Sequence, residues 1–212
     1  INSSVRPALV YRAMSGFTLR DRAASAASSG RGRLWGGVRQ RAPRHQRQMM
    51  ARSRAAAVIA LKPAEHAKSR LGVPDPLRRR LAWTMALDTL SALSRALSQV
   101  LVVSDQSALE SRLRRAGLAV EVISESGHVG MNPALSHGAR TLRAQGFATI
   151  MACVGDLPSL RPDSVLRVLD ASTAHPRSFV ADASGVGTTM LVAHEVELAP
   201  HFQGRSAAAH HA

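Results

Sequence analysis

Short apolar runs alternate with longer helical patterns from Ala55 onward, and this alternation limits the possible folds more than any other feature. The run at residues 148–154 contains one hydroxyl residue among apolar ones. A strand with no polar face is buried on both sides, as in a parallel sheet covered by helices. The sequence therefore predicts an α/β fold, with a mostly parallel sheet and helices on both faces.

The elements of this fold can be placed by period and by turn residues. Strands are predicted at residues 55–61, 99–103, 120–123, 148–154, 178–181 and 188–193. Helices are predicted from Pro74 to about residue 97, and at residues 108–116, 134–144 and 162–169. Proline ends the first strand at Pro63, and Gly117 closes the second helix.

The basic charge of the chain is concentrated in its first quarter. Residues 1–54 carry twelve arginines and one acidic residue, whereas the whole chain has a formal net charge of +14. This Arg-, Ser- and Ala-rich segment has no helical or strand period, which is typical of sequences that cannot bury a core. We therefore expect a disordered basic extension over residues 1–52 and one α/β domain over residues 53–212. Because Met49 and Met50 directly precede the domain, we expect the natural start there.

Cysteine usage and apolar run lengths predict the cellular environment. Cys153 is the single cysteine, which excludes an intramolecular disulfide and is typical of a buried thiol in a reducing cytoplasm. The longest apolar run, residues 147–154, is far below the roughly 20 residues that span a bilayer. We expect a cytoplasmic protein that does not bind membranes.

A basic loop follows the first predicted strand. The two lysines of the chain, Lys62 and Lys68, both lie in this loop, together with Arg70. Ligands of α/β sheets bind outside the carboxyl ends of the strands. The loop therefore predicts a phosphate-binding site at that edge.

Carboxylates and other polar residues follow the remaining strands. They are Asp105, Asn132 before the third helix, Asp156 after the central strand, and Asp182 with Thr188. Carboxylates opposite basic residues suit an anionic nucleotide bound with Mg²⁺. For Asp156, a turn or helix-cap role before Leu157 and Pro158 is an alternative interpretation.

Several familiar sites are absent from the sequence. There is no GxxxxGK[ST] motif, and Gly185 and Gly187 lack the third glycine of a dinucleotide fingerprint. The nine histidines have no paired ligand spacing, and we expect His210 and His211 to be solvated. Spacing alone assembles no Ser-His-Asp or Cys-His arrangement.

Four motifs occur in order along the chain: IALKPxxxAKSRL at residues 59–71, GMNPAL at 130–135, GDLPSLRP at 155–162 and SFVADxxGxGTTML at 178–191. Over residues 55–210, the chain resembles the 2-phospho-L-lactate / phosphoenolpyruvate guanylyltransferases of coenzyme F-420 biosynthesis. The resemblance implies a nucleotide-diphospho-sugar transferase-like fold. It also implies transfer of GMP from GTP to a phosphorylated three-carbon acid, with release of pyrophosphate.

The resemblance also implies a role for individual residues. Lys62, Lys68 and Arg70 would act in catalysis and bind the triphosphate, Asn132 would contact the nucleoside, Asp156 would bind Mg²⁺, and Thr188, Gln203 and Ser206 would contact the acid. The chain departs from the family pattern at Gln203, where glycine is usual, and at Ala209, where arginine usually precedes the histidine. Relatives continue through a segment with a second metal carboxylate, which we expect this chain to lack.

Two alternatives to this function remain open from the sequence. One is another nucleotidyltransferase of the same fold, with a different base or acceptor. The other is a non-catalytic protein that binds polyanions such as nucleic acid non-specifically through the basic extension. Between the two acids, Arg- and Ala-rich usage indicates a GC-rich bacterial genome and favours phosphoenolpyruvate. The sequence makes no prediction of oligomeric state.

Overall fold

The structure is a computed structural model that describes residues 9–12, 54–62 and 72–211, the first four by their backbone alone. The described strands are β1 (Leu9–Arg12), β2 (Ala55–Ala60), β3 (Gln99–Val103), β4 (Glu121–Ile123), β5 (Thr149–Cys153), β6 (Arg177–Ala181) and β7 (Thr188–His194). The described helices are α1 (Asp75–Ala96), α2 (Leu109–Arg115), α3 (Met131–Ala144), α4 (Pro162–Ser172) and α5 (Ser206–His211). None of these helices combines the length and apolar character needed to cross a membrane.

The strands form one sheet in the order β1–β6–β7–β5–β2–β3–β4. Strand β2 lies between β5 and β3 and is parallel to both, and β3 is parallel to β4. Strand β7 is antiparallel to both of its neighbours, β5 and β6. The prediction of a mostly parallel sheet is therefore confirmed, with β7 as its reversed strand.

Helices cover both faces of the sheet, as predicted. One core contains residues of α1, α2 and α4 together with Ala55, Ala57 and Ile59 of β2. The other contains residues of α3 and α5 together with the alternate β2 residues Ala56 and Val58. All five of these β2 residues are fully buried, which explains why the strand has no polar face.

Helix α3 packs very close to the sheet at Gly138. A Cβ atom at this position would lie 2.5 Å from Val58 Cγ2 and 2.8 Å from Val103 Cγ2. No side chain fits in that space, so the close approach of the helix to β2 and β3 requires glycine.

The predicted elements agree with the structure to within about three residues at each end, and two short elements, β1 and α5, were not predicted. Helix α3 begins at Met131, three residues early, because Gly130 turns the chain with φ of 111° and Pro133 is tolerated in a first helical turn. Helix α5 was not predicted, since its six residues, SAAAHH, are too few to show a helical period.

Strand β1 lies within the segment that we expected to be disordered. Its four residues pair in parallel with β6, from Leu9 opposite Ser178 to Arg12 opposite Ala181. The sequence LVYR favours a strand, and the outer edge of β6 offers unpaired backbone groups. The other residues of the extension, apart from Arg54, lie outside the described ranges, and the disordered extension stays a prediction.

Candidate functional site

Strands β2, β3, β5 and β6 all end at the same edge of the sheet. Because β7 runs in the opposite direction, its first residue, Thr188, lies at this edge as well. The backbone N–H of Val154 donates to the carbonyl of Thr189 at 3.0 Å, two residues before Asp156. The reversed strand thus places Thr188 beside the loop that carries Asp156.

A pocket of about 330 Å³ opens at this edge, and both Lys62 and Asp156 line it. Its wall consists of residues at the ends of β2 and β5, the loop residue Gln106 after β3, and residues of helices α1, α2 and α3; they include Ala82, Trp83, Ala86, Leu109, Arg112 and Met131. One cation and one carboxylate that the sequence placed after separate strands therefore face the same space.

The backbone that precedes Lys62 is held by the neighbouring strand. Leu61 donates its N–H to Val103 O at 3.0 Å. The Leu61 carbonyl accepts hydrogen bonds from Ser104 Oγ at 2.6 Å and from Gln106 Nε2 at 3.3 Å. The exposed Lys62 side chain therefore extends from a fixed point.

The loop that carries Asp156 is anchored to helix α1. The N–H of Leu157 donates to Thr89 Oγ1 at 2.9 Å, and the fully buried Thr89 donates to Met85 O at 2.8 Å. Burial, together with the charge of Asp156, raises the pKa of the Cys153 thiol well above its usual value. Cys153 is buried, as predicted, and a thiol with such a pKa is inert.

The other two aspartates at this edge are committed to local turns. Asp105 Oδ1 accepts hydrogen bonds from Ser124 Oγ at 2.7 Å and from Glu125 N at 2.8 Å, joining the ends of β3 and β4. Asp182 Oδ1 accepts from Ser184 Oγ at 2.7 Å within the β6–β7 turn. Of the three, Asp156 alone lines the 330 Å³ pocket.

Sequence reasoning missed a stacked pair in the pocket wall. The Arg112 guanidinium carbon of α2 lies 3.7 Å from the centre of the Trp83 ring of α1, a cation–π contact. A second cleft of about 660 Å³ continues outward past this pair and is also lined by Arg79 and Arg80. Trp83 and Arg112 lie on different helices, and no spacing in the sequence indicates that they meet. Gln106 follows strand β3, so it could have been identified from the rule that ligands bind at the carboxyl ends of strands.

The end of the described chain packs against the start of β7. Thr188 Oγ1 lies 2.9 Å from His210 Nδ1, and Ala207 N donates to Val186 O at 3.0 Å. Ser206, the first residue of α5, is buried beside this contact, whereas Gln203 is exposed. The structure therefore brings Ser206 and Thr188 to the same end of the sheet.

The expectation that His210 is solvated was wrong. The side chain is half-buried, and its Nε2 accepts a hydrogen bond from His201 N at 2.8 Å. Burial, followed by the nearby charges of His201 and Arg177, lowers the pKa of His210 to about 4. The contact with Thr188 forms through the fold, across 22 residues of sequence, and short-range patterns cannot reveal it.

A β-bulge orients Thr188 toward this contact. Ala181 pairs with Thr188 and Val180 pairs with Met190, which leaves Thr189 as an extra residue. Regular alternation would place Thr188 on the face of Met190 and Val192. The bulge instead directs its hydroxyl to α5, on the opposite face.

Asn132, in the first turn of α3, is hydrogen-bonded to the segment that precedes α5. Its Oδ1 accepts a hydrogen bond from the backbone N–H of Phe202 at 2.8 Å. The preceding residue, Met131, lines the pocket, but Asn132 does not. Its amide nitrogen remains a donor, so the proposed nucleoside contact stays a prediction.

Lys68 and Arg70 lie outside the described ranges, and their roles stay predictions. Within the described ranges, no three or more His, Cys, Asp or Glu side chains form a group that could hold a metal ion. Among the described residues, Asp156 is the carboxylate that lines this pocket.

Comparison with known proteins agrees with the fold and the motifs. A structure with the same fold is a candidate nucleotide-diphospho-sugar transferase from Desulfovibrio desulfuricans G20, with a TM-score of 0.57 and 17% identity over 68% of this chain and 64% of that one. The phosphoenolpyruvate guanylyltransferase of Streptomyces coelicolor is 42% identical over 161 residues, or 73% of this chain and 75% of that protein. The protein of that name from Thermomonospora curvata is 39% identical over 72% of this chain and 68% of its own length. Since the model of the family described as guanylyl transferase CofC like also matches residues 55–211, the chain belongs to this family of nucleotidyltransferases.

Proposed function

We propose that the protein transfers GMP from GTP to phosphoenolpyruvate and releases pyrophosphate, as a step of coenzyme F-420 biosynthesis. 2-Phospho-L-lactate is the alternative acceptor. The curated relatives named for the phosphoenolpyruvate reaction support this assignment. The observation that carries it is the shared pocket of Lys62 and Asp156 at the carboxyl edge of the sheet.

The residues of the pocket fit a magnesium nucleotide. Mg²⁺ is commonly bound by one or two carboxylates together with the phosphates of its substrate. Asp156 supplies one carboxylate to the pocket, and Lys62 supplies one positive charge. When bound, the ion would withdraw negative charge from the phosphate at which the reaction occurs.

In the proposed reaction, a phosphate oxygen of the acid attacks the α-phosphorus of GTP. A new P–O bond forms while the bond from the α-phosphorus to the bridging oxygen breaks, and pyrophosphate leaves with that electron pair. No general base is needed, because the attacking phosphate is ionised at neutral pH. Lys62, with Lys68 and Arg70, would neutralise the charge that develops on the leaving group.

The two substrates would occupy neighbouring parts of the edge. The base would lie against the apolar wall of Ala82, Trp83 and Ala86, with the Asn132 amide nitrogen as a donor to the nucleoside. The acid would lie near the start of β7, in contact with Thr188, Gln203 and Ser206. Thr189 O accepts the hydrogen bond of Val154 N at 3.0 Å, which joins the two parts.

The function is tested by product analysis. We expect incubation with GTP, Mg²⁺ and phosphoenolpyruvate to give pyrophosphate and a guanylylated acid, identified by mass spectrometry. Parallel reactions with 2-phospho-L-lactate and with CTP, UTP or ATP define the acceptor and the base. Turnover with another nucleotide but not with GTP would contradict the proposal and favour another nucleotidyltransferase of this fold.

The role of Asp156 is tested by Asp156→Asn, which keeps the shape of the side chain and removes its charge. We expect pyrophosphate release to fall by roughly 100-fold or more, as when one electrostatic group of an active site is lost. Asp88→Asn, at an exposed position of α1, is the matched control and should keep full activity. Normal turnover by a folded Asp156→Asn protein would refute the assignment.

A further inference from the structure

We propose that His210 is a positioning residue for the acid substrate: it donates a hydrogen bond to Thr188 and thereby fixes the Thr188 hydroxyl as a donor toward that substrate. The inference rests on the proposed function, in which Thr188 contacts the acid. His210 itself does not need to touch the substrate.

The tautomer of His210 follows from its second contact. The backbone N–H of His201 is an obligatory donor, and it points at His210 Nε2 at 2.8 Å. Nε2 must therefore carry a lone pair and no proton. A neutral imidazole with a bare Nε2 has its proton on Nδ1, so Nδ1–H donates to Thr188 Oγ1 at 2.9 Å.

The direction of this hydrogen bond determines which further bonds the Thr188 hydroxyl can form. A hydroxyl has one proton to donate, and His210 cannot accept it through a protonated Nδ1. Among the described residues, His210 is the hydrogen-bonding partner of Thr188 Oγ1. The hydroxyl proton is thus available to an acceptor at the edge of the sheet, and the carboxylate and phosphate oxygens of the acid are acceptors.

Packing holds the imidazole in place and keeps it neutral. The rings of Phe179, His201 and Phe202 surround it, with centroid separations of 5.8, 5.9 and 5.5 Å. Protonation would add a proton to Nε2, and the resulting N–H would face the N–H of His201. Burial and the charges of His201 and Arg177 lower the pKa of His210 to about 4, in agreement with the neutral form.

The kinetic test compares two variants of His210 with the wild-type protein. His210→Phe keeps an aromatic ring in the cluster but has no donor, and we expect it to raise the KM for the acid about tenfold, the equivalent of one hydrogen bond. The KM for GTP should stay unchanged. His210→Asn, which can place an amide N–H near the position of Nδ1, should recover most of the affinity. Equal increases in both KM values, or no recovery by His210→Asn, would overturn the proposal.

A double-mutant cycle tests whether His210 acts through Thr188. Thr188→Val removes the hydroxyl at nearly constant shape, and we expect it to raise the KM for the acid by itself. His210→Phe should then add nothing in the Thr188→Val background. A further, independent increase would overturn the positioning role. An unchanged KM in Thr188→Val would instead overturn the acid contact of the proposed function.

The tautomer can be measured even in a protein without activity. Imidazole ¹⁵N shifts, with the His210 signals identified by their loss in His210→Asn, should show a protonated Nδ1 and a bare Nε2 at pH 7. A protonated Nε2 would overturn the inference and leave the proposed function intact. Correct shifts without any guanylylated product would contradict the proposed function alone.

Discussion

Asp182 illustrates how one carboxylate shapes the turn that leads into Thr188. Its Oδ1 accepts hydrogen bonds from Ser184 Oγ at 2.7 Å and Val186 N at 3.1 Å. A Cβ atom at Gly187 would lie 2.5 Å from Asp182 Oδ2, so any larger residue there would displace this carboxylate. The hydrogen bond from Ser184, followed by those from backbone N–H groups of the turn, lowers the pKa of Asp182.

This shift predicts a pH-dependent contribution to stability. Because the pKa of Asp182 is lower in the folded protein, its stabilisation is present above the pKa of a free aspartate, about 3.9, and is lost as the pH falls through the folded value. Asp182→Asn keeps an acceptor oxygen but removes the charge. We expect thermal unfolding to give a lower Tm than wild type at pH 7 and a difference that shrinks below about pH 4.

The control for this experiment is Asp88→Asn, which removes one negative charge at an exposed position of α1. It should give the wild-type Tm at pH 7. A difference between wild type and Asp182→Asn that stays constant from pH 7 to pH 3 would contradict the role of the ionised carboxylate in the turn.

At the scale of elements, Arg143 joins the end of α3 to the two strands at the opposite edge of the sheet. Its guanidinium donates to the carbonyls of Phe147 at 2.9 Å, Ala193 at 3.2 Å and Val196 at 2.8 Å, and also to Ala148 O. These carbonyls belong to the start of β5 and to β7 with the residues after it. One side chain thus fixes where the reversed strand ends.

Replacement of Arg143 should destabilise this junction. Lysine at this position cannot span four carbonyls, because it lacks the planar fork of donors. We expect Arg143→Lys to lower the free energy of unfolding by about 2 to 4 kcal/mol, since partly buried carbonyls lose their partners. Arg140→Lys, at an exposed position one turn earlier, is the matched control in denaturant titrations. Equal stabilities of the two variants would contradict the role of Arg143.

The elements that were predicted correctly share a physical cause. Strands β2, β3 and β5 are buried on both faces, so their apolar runs are visible in the sequence without knowledge of the neighbouring elements. Lys62 and Asp156 were found because parallel strands bring their carboxyl ends to one edge. The direction of β7, the bulge at Thr189 and the contact of His210 depend on pairing between distant segments, and a local pattern does not contain that information.

At the scale of the whole molecule, the candidate site is formed by segments that lie far apart in the sequence. Helices α1 and α2 contribute the stacked Trp83 and Arg112, strand ends contribute Lys62 and Asp156, and α5 contacts Thr188. The family motifs revealed the strand-end loops, but not Trp83 and Arg112, which lie on the helices between them. The pocket therefore forms only when the ends of β2, β3 and β5 and the helices α1, α2 and α3 have come together.

The position of Trp83 in the pocket provides a direct test of nucleotide binding. The chain has two tryptophans, so Trp35→Phe leaves Trp83 as the single one. We expect titration with GTP and Mg²⁺ to change the emission of this variant saturably, because the nucleotide displaces water from the ring and alters its contact with Arg112. The midpoint should equal the Kd from calorimetry. Calorimetric binding without any change in emission would place the nucleotide elsewhere.

The order of the strands has a consequence for synthesis of the protein on the ribosome. Strand β7 is the last strand of the described chain to be translated, yet it lies inside the sheet between β5 and β6. Until β7 has left the exit tunnel, the inner edges of β5 and β6 have no partner, and unpaired strand edges favour aggregation. A nascent chain that stalls before Thr188 would therefore expose both edges, and we expect chaperones that recognise extended apolar segments to bind it there.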